Sequence, residues 1–128
     1  MISFEGFRPV DGVPIYLQIM NYIKRGCVAG TIVKGDVLPS RRYLSALLGI
    51  NPMTVHKAFK MLEDEGLITT MQGSGSVIIA DDESINRIKL ELLEGEIRKM
   101  TEYFKQMNIS QQKAIELLEE YWEDADNE

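Results

Sequence analysis

Residues 40–66 read SRRYLSALLGINPMTVHKAFKMLEDEG, and they contain the start and stop signals of two short helices. Ser40 is a residue type that caps a helix, and Gly49 allows the left-handed conformation that ends one. Asn51 then caps a second helix, which has Pro52 at its first position. Apolar residues recur at helical spacing in both segments, so each helix has one buried side. Two short helices joined by a Gly-Ile turn are typical of a helix-turn-helix.

The segments that flank this motif extend it to a winged helix. Residues 14–28 predict an amphipathic helix, because Pro14 suits a first turn and apolar residues recur at i, i+4, i+7 and i+8. Residues 67–71 and 76–80 are strand-like and are joined by Gln72-Gly73-Ser74-Gly75, which predicts a β-hairpin. We therefore expect a mostly α fold with a small β-hairpin directly after the second helix of the motif.

The last third of the chain differs from the rest in charge. Residues 1–80 carry eight Lys/Arg against six acids, a net +2, whereas residues 81–128 carry six against fourteen, a net −8. Periodic apolar residues predict helices over 84–107 and 111–123. Gly95 lies within the first of these segments and weakens the prediction that it is one unbroken helix. We expect two domains, a winged helix-turn-helix domain at 1–80 and a helical dimerisation region at 81–128.

The two C-terminal helices are expected to form a hairpin that carries more apolar surface than one pair of helices can bury. A second copy related by two-fold symmetry would cover that surface, so we expect a homodimer. The residues expected at the dimer interface are Ile85, Ile88, Leu92, Leu93, Ile97, Met100, Phe104, Ile115, Leu118 and Trp122.

Composition excludes several classes of protein. Hydrophobic residues make up 45% and charged residues 27%, which is an ordinary globular balance. No apolar run approaches the ~20 residues of a membrane span, and the N-terminus has no secretory pattern, so we expect a cytoplasmic protein. A single cysteine, Cys27, and a single histidine, His56, argue against disulfides and metal clusters. We expect Cys27 to be a packed residue, and no metal, cofactor or enzymatic activity.

The second helix of the motif is expected to read DNA. Its N-terminal turns project short side chains, and such a helix end fits a major groove ~12 Å wide. Basic residues surround it, and two glycines allow the hairpin tip to approach a sugar-phosphate surface. The expected DNA contacts are Arg41, Arg42, Asn51, Met53, Thr54, His56, Lys57, Lys60, Gln72, Gly73, Ser74 and Gly75.

These contacts are expected to divide the work of recognition. Met53, Thr54 and His56 follow the helix start and face base edges, so they should choose the sequence. Lys57 and Lys60 are point charges on flexible stems, so they should set affinity for any duplex. Among the basic residues we expect Arg42 to contribute more than Lys57, because a guanidinium grips phosphate or guanine in two places.

Five motifs between residues 14 and 78 occur together. They are Pro-Ile-Tyr at the start of the first helix, Gly-Asp-x-Leu-Pro-Ser-x-Arg, Gly-Ile-Asn-Pro-x-Thr-Val, Leu-Glu-x-Glu-Gly-Leu-Ile and the Gly-x-Gly of the hairpin. This series resembles the GntR family of bacterial transcription regulators, which implies a DNA-binding winged helix. Only 48 residues follow Ala80, too few for the large effector-binding domain usual in that family. This shortness resembles the YtrA-type subgroup, whose C-terminal part is two helices used for dimerisation.

The resemblance implies roles for individual residues. Arg42 matches a family arginine that contacts DNA, and Arg41 stands where the family usually has glutamate. Pro52 and His56 replace two arginines of the usual recognition helix, so the operator of this chain should differ from that of the broader family. Ser74 replaces a basic residue between the wing glycines, which should weaken the wing contact.

The sequence therefore predicts a sequence-specific, DNA-binding transcriptional regulator that represses as a homodimer on an inverted-repeat operator. Two alternatives stay open. The winged helix is a scaffold for protein–protein interaction in one, and the helical hairpin holds a pocket for an unknown small-molecule effector in the other. Steep weakening of DNA binding by salt distinguishes the regulator from the interaction module.

Overall fold

The computed structural model describes residues 1–71 and 75–126, and within them the chain forms five helices and one β-hairpin. The mostly α fold with a hairpin after a helix-turn-helix is confirmed. The elements are α1 Ile15–Ala29, α2 Arg41–Leu48, α3 Pro52–Asp64, β1 Ile68–Met71, β2 Gly75–Ile78, α4 Asp82–Gln106 and α5 Gln111–Asp126.

The chain divides into two compact units, Met1–Lys89 and Leu90–Glu128. The boundary lies inside α4, so the first turns of this helix belong to the first unit. The predicted division into domains at 1–80 and 81–128 concerns which parts act independently, and it remains a prediction.

Local chemistry sets the ends of α2 and α3. The Ser40 hydroxyl accepts a hydrogen bond from the backbone N–H of Tyr43 (3.1 Å), and the Asn51 side chain accepts one from the N–H of Met53 (2.8 Å). Gly49 ends α2 in the left-handed conformation at φ 66°. The connection between the helices is therefore short and fixed at both ends, which determines where α3 begins.

Helix α3 is the central element of the first unit, because it packs against α1, α2 and β1. Its inward side is buried as its periodicity predicts, and burial of a side chain such as Phe59 or Leu62 contributes about 1.5–3 kcal/mol. The core of this side consists of Val55, Ala58, Phe59 and Leu62.

The hairpin is antiparallel, with Ile68 opposite Ile78. Residues 35–38 lie along the other side of β2, since the N–H of Gly35 donates to the Ile78 carbonyl and the N–H of Leu38 donates to the Ser76 carbonyl, both at 2.9 Å. The hairpin is thus held by the segment that precedes α2. Gln72, Gly73 and Ser74, which the sequence predicts at its tip, lie outside the described residues.

An N-terminal segment that sequence reasoning passed over is part of the first unit. Ile2, Phe4 and Phe7 are buried, and the Phe4 ring stacks on Tyr22 of α1 at 4.7 Å between centroids. The N–H of Ile2 donates to the Val37 carbonyl at 2.8 Å. The segment therefore covers α1 and is tied to the strand-like residues before α2.

Cys27 is the packed residue that the sequence predicts. Its side chain is buried on α1. Burial raises the pKa of the Cys27 thiol, and the nearby Asp36 carboxylate raises it further. A thiol with a raised pKa stays protonated and unreactive at neutral pH.

The second unit contains the remainder of α4 and the whole of α5. Helix α4 continues through Gly95 without a break, and Ser110 caps α5 by accepting a hydrogen bond from the N–H of Lys113 at 3.1 Å. Few residues of α5 approach α4 closely within this unit. Among residues 90–125, all of which are described, no side chain is buried.

Candidate nucleic-acid interface

The outward side of α3 presents the side chains that the sequence assigns to base contact. Met53 is 66% exposed, His56 is exposed, and Thr54 is half-buried. Asn51 and Pro52 start the helix immediately before them, so these side chains leave from its first two turns. A helix N-terminus also carries a partial positive charge, which favours an approaching phosphate.

Arg41 and His56 contact each other across the helix-turn-helix. The Nη1 atom of Arg41 lies 2.5 Å from Nδ1 of His56. The Arg41 guanidinium also lies over the ring of Phe59, with Cζ 5.7 Å from the ring centroid. Both residues were predicted to contact DNA, whereas their contact with each other was not predicted.

Lys57 lies against an aromatic ring that sequence reasoning missed. Its Nζ is 4.0 Å from the centroid of the Tyr16 ring, a cation–π contact between α3 and the first turn of α1. The signal for Tyr16 was its place in the Pro-Ile-Tyr motif, one residue off the buried stripe of α1. The ring limits the freedom of the Lys57 side chain, although the residue as a whole is exposed.

Lys60 is paired with an acid on its own helix. Its Nζ lies 3.3 Å from the Asp64 carboxylate, and the two side chains are 61% and 63% exposed. An exposed pair at this spacing contributes little to stability, about 0.3–0.5 kcal/mol. The Lys60 ammonium is therefore easily transferred from Asp64 to a phosphate.

Arg42 is exposed at the start of α2. Among the described residues, its guanidinium makes no hydrogen bond, ion pair or ring contact; only its backbone carbonyl is engaged, by the Ser45 hydroxyl at 2.9 Å. No internal contact within that part of the chain has to be broken before Arg42 meets a ligand.

The charges of α3 are arranged along its length. The basic residues Lys57 and Lys60 occupy its second and third turns, while Glu63 and Asp64 occupy its last turn. Glu65 follows and pairs at 3.0 Å with the buried Lys24 of α1. Arg41 and Arg42 of α2 and Lys57 and Lys60 of α3 therefore form the basic side of the motif, which we call the α2–α3 face.

Of the hairpin residues predicted to contact DNA, only Gly75 lies within the described residues. Gly75 opens β2 at φ 77°, a left-handed conformation that favours glycine. Gln72, Gly73 and Ser74 are outside the described residues, so their predicted DNA contacts remain predictions.

The residues predicted at the dimer interface are mostly exposed in the single chain. Ile97 is 50% and Trp122 is 68% exposed, and Leu93, Met100, Ile115 and Leu118 are exposed as well, whereas Ile85, Leu92 and Phe104 are half-buried. Ile88 departs from the expectation. It is 2% exposed and belongs to the core of the first unit, so it has no surface left for a partner.

Within residues 1–71 and 75–126, no group of His, Cys, Asp and Glu side chains is arranged to hold a metal ion. None of the helices formed by these residues has the length and apolar composition needed to cross a membrane.

A helix-turn-helix with an exposed second helix, a basic N-terminal end and a following hairpin defines a winged-helix DNA-binding protein. The family model described as "Bacterial regulatory proteins, gntR family" matches residues 15–78, half of the chain. The chain belongs to the GntR family and is a DNA-binding transcriptional regulator.

Individual relatives agree with this assignment and with the YtrA-type resemblance. The chain is 40% identical over 101 residues to the HTH-type transcriptional repressor YtrA of Bacillus subtilis, a match that covers 79% of this chain and 73% of that protein. A GntR family transcriptional regulator from Listeria monocytogenes superposes with a TM-score of 0.76 at 29% identity, over 88% of this chain and 98% of that one. YtrA from Sulfolobus acidocaldarius superposes with a TM-score of 0.53 at 27% identity, over 93% and 99%.

Proposed function

We propose that this protein binds an inverted-repeat operator as a homodimer in the cytoplasm and represses transcription by blocking polymerase, without enzymatic activity. The observation that carries the proposal is the exposed, basic α2–α3 face. Its geometry suits insertion of the first turns of α3 into a major groove.

Direct base recognition falls to three side chains of α3. Thr54 offers a hydroxyl and a methyl group, Met53 offers apolar contact to a thymine methyl, and His56 offers a ring nitrogen for hydrogen bonding. Arg41, Arg42, Lys57 and Lys60 surround them and contact phosphates on either side of the groove. Phosphate contacts fix the register of the helix, so the three readers meet defined base pairs.

Dimerisation falls to the second unit. Leu93, Ile97, Met100 and Phe104 on α4, with Met107 directly after it, recur at alternating spacings of four and three residues, which is the spacing of a helix–helix seam. On α5, Ile115, Leu118 and Trp122 follow the same rule.

This apolar surface supports a second copy of the chain as the partner. Helices α4 and α5 bury little of it against each other, and so large an exposed apolar area is unusual for a monomer. A two-fold dimer presents two α3 helices in opposite directions, which corresponds to an inverted repeat in the DNA. The net charge of −8 on residues 81–128 disfavours contact between this arm and phosphates.

The repressor role is supported by the name of the Bacillus subtilis relative, a transcriptional repressor. A dimer that covers two half-sites prevents polymerase from binding the same stretch of DNA, because the two proteins would overlap sterically. The proposal requires no small-molecule effector; such a ligand would be recognised by a fall in operator affinity when it is added.

The salt dependence of DNA binding tests this proposal. Affinity for a duplex should fall linearly on a log–log plot as salt rises, because each phosphate contact releases counterions. Arg42→Ala should weaken binding by about 1–3 kcal/mol. Arg98→Ala, which removes the same charge from an exposed site on α4, should leave binding almost unchanged. Equal effects of the two substitutions on affinity would contradict the proposal that the α2–α3 face binds DNA.

A further inference from the structure

We propose that Arg41 is a positioning residue that holds His56 as a hydrogen-bond donor to the operator, an inference that rests on the proposed function. The feature behind it is the contact between the guanidinium of Arg41, at the start of α2, and Nδ1 of His56, in the second turn of α3. The pair joins the two helices of the motif directly on the surface proposed to meet DNA.

The chemistry of the two groups fixes the direction of the hydrogen bond. A guanidinium has five N–H donors and no acceptor, and it is always charged. The Nδ1 atom of His56 must therefore accept, which requires that this nitrogen carry no hydrogen. In the neutral imidazole the hydrogen then lies on Nε2, at the far side of the ring from Arg41.

The surroundings of Arg41 restrict it to this arrangement. The guanidinium lies over the Phe59 ring, whose side chain is buried in the core of α3, and the Arg41 side chain is half-buried. One N–H is used for His56, so the remaining donors stay available for a phosphate. A phosphate bound there would hold Arg41, and through it the imidazole ring, in one orientation.

A fixed tautomer restricts what His56 can recognise. An Nε2–H donor matches an acceptor in the major groove, which is N7 or O6 of guanine, N7 of adenine or O4 of thymine. It does not match the N4 amino group of cytosine, which is itself a donor. Without Arg41 the ring can exchange tautomers and accept from cytosine, so discrimination at that base pair should fall.

The experiment measures binding of the full chain to duplexes that carry each base pair in turn at every half-site position. His56→Ala first identifies the base pair at which His56 acts. Arg41→Met, which keeps side-chain bulk and removes the donors, should reduce the preference at that same base pair about five- to tenfold. Arg42→Met is the matched control. It should lower affinity without changing that preference.

Two further measurements separate positioning from charge. Arg41→Lys keeps a cation and a donor, so it should restore part of the preference that Arg41→Met loses. In the free full-length chain, nitrogen NMR with the imidazole neutral should show Nδ1 without hydrogen and Nε2 with it, and Arg41→Met should show exchange between tautomers.

The possible failures are distinguishable. If the wild-type chain binds no duplex above background, the proposed function falls and this inference falls with it. If the chain binds DNA but Arg41→Met keeps the wild-type preference, or if Nδ1 carries the hydrogen in the wild type, the inference alone is overturned.

Discussion

The cations of the α2–α3 face differ in what they contact before DNA arrives. Arg41 contacts His56, Lys57 lies over Tyr16 and Lys60 pairs with Asp64, whereas Arg42 is exposed. Contacts that persist in the complex lower the ordering cost of binding, and contacts that break raise it. The Arg41–His56 and Lys57–Tyr16 contacts keep their cations on the α2–α3 face. In the Lys60–Asp64 pair, the carboxylate competes with phosphate for the Lys60 ammonium.

Lys60 gives the clearest test of this competition. Lys60→Ala should weaken binding of all duplexes alike and reduce the slope of log affinity against log salt by about one unit. Asp64→Asn should have the opposite sign, because it removes the carboxylate 3.3 Å from the Lys60 ammonium and leaves that charge for phosphate. Salt titrations of both variants measure the two effects. A change in the ranking of duplexes by Lys60→Ala would mean that Lys60 reads bases.

The sequence predicts which individual side chains of α3 are exposed, since a period of 3.6 residues places Met53, His56 and Lys57 opposite the buried stripe. It did not predict the contact between Arg41 and His56. That contact depends on how α2 crosses α3, and nothing local to either residue carries this information. The contact between Tyr16 and Lys57 was not predicted for the same reason, since it depends on how α1 packs against α3.

At the scale of elements, two glycines inside helices have different reasons to be there. Gly26 of α1 lies under Ile32, and a Cβ at position 26 would overlap with Cδ1 and Cγ1 of that side chain. The Gly26 carbonyl also accepts hydrogen bonds from the N–H groups of Thr31 and Ile32 at 3.0 and 3.1 Å. Around Gly95 of α4, no heavy atom of the described residues lies within 4 Å of the position that a Cβ would take, apart from its chain neighbours and the backbone of its own helix.

The same substitution should therefore have opposite signs at the two sites. Gly26→Ala should destabilise the fold by about 1–3 kcal/mol, because the buried Ile32 must move out of well-packed surroundings. Gly95→Ala should stabilise α4 by about 0.5–1 kcal/mol, since alanine loses less conformational entropy in a helix interior than glycine. Denaturant unfolding and helicity by circular dichroism measure both. Stabilisation by Gly26→Ala would contradict the packing described for Ile32.

The sequence predicted the helices and hairpin of the first unit well because their ends carry local signals. Ser40 and Gly49 cap the two ends of α2, and Asn51 caps the start of α3, as their residue types predict. The N-terminal segment was missed because its apolar residues follow neither a helical nor an alternating period, and its place is set by long-range contacts. Ile88, which the sequence places at the dimer interface, is buried in the single chain, because periodicity marks an apolar face without saying what covers it.

The whole molecule separates two kinds of surface along the chain. The described residues that are predicted to contact DNA belong to the first unit, whereas the predicted dimer-interface residues from Leu92 onward belong to the second unit, in which acidic residues outnumber basic ones. A single chain leaves the apolar residues of the second unit in water. The proposed dimer removes this cost and pairs the DNA-binding units at the same time.

Ile97 lies in the middle of the apolar stripe of α4, so Ile97→Glu should weaken the dimer strongly. A carboxylate left without a partner in the interface costs at least about 1–3 kcal/mol, and two-fold symmetry places two of them there. Sedimentation should show monomers, and operator affinity should fall.

Gln106→Glu is the matched control for this variant, because it adds the same charge to the same helix away from the stripe. It should leave both the dimer and operator affinity intact. A dimer that persists in the Ile97→Glu chain would place the interface elsewhere.

Selection of duplexes from random DNA by the full chain addresses the proposed function as a whole. We predict that the enriched sequences converge on an inverted repeat, with half-sites about one helical turn or a multiple of it apart, and that the Arg42→Ala chain enriches it poorly. Enrichment of a single asymmetric site, or of no sequence at all, would contradict the account of a symmetric dimer that reads DNA with α3.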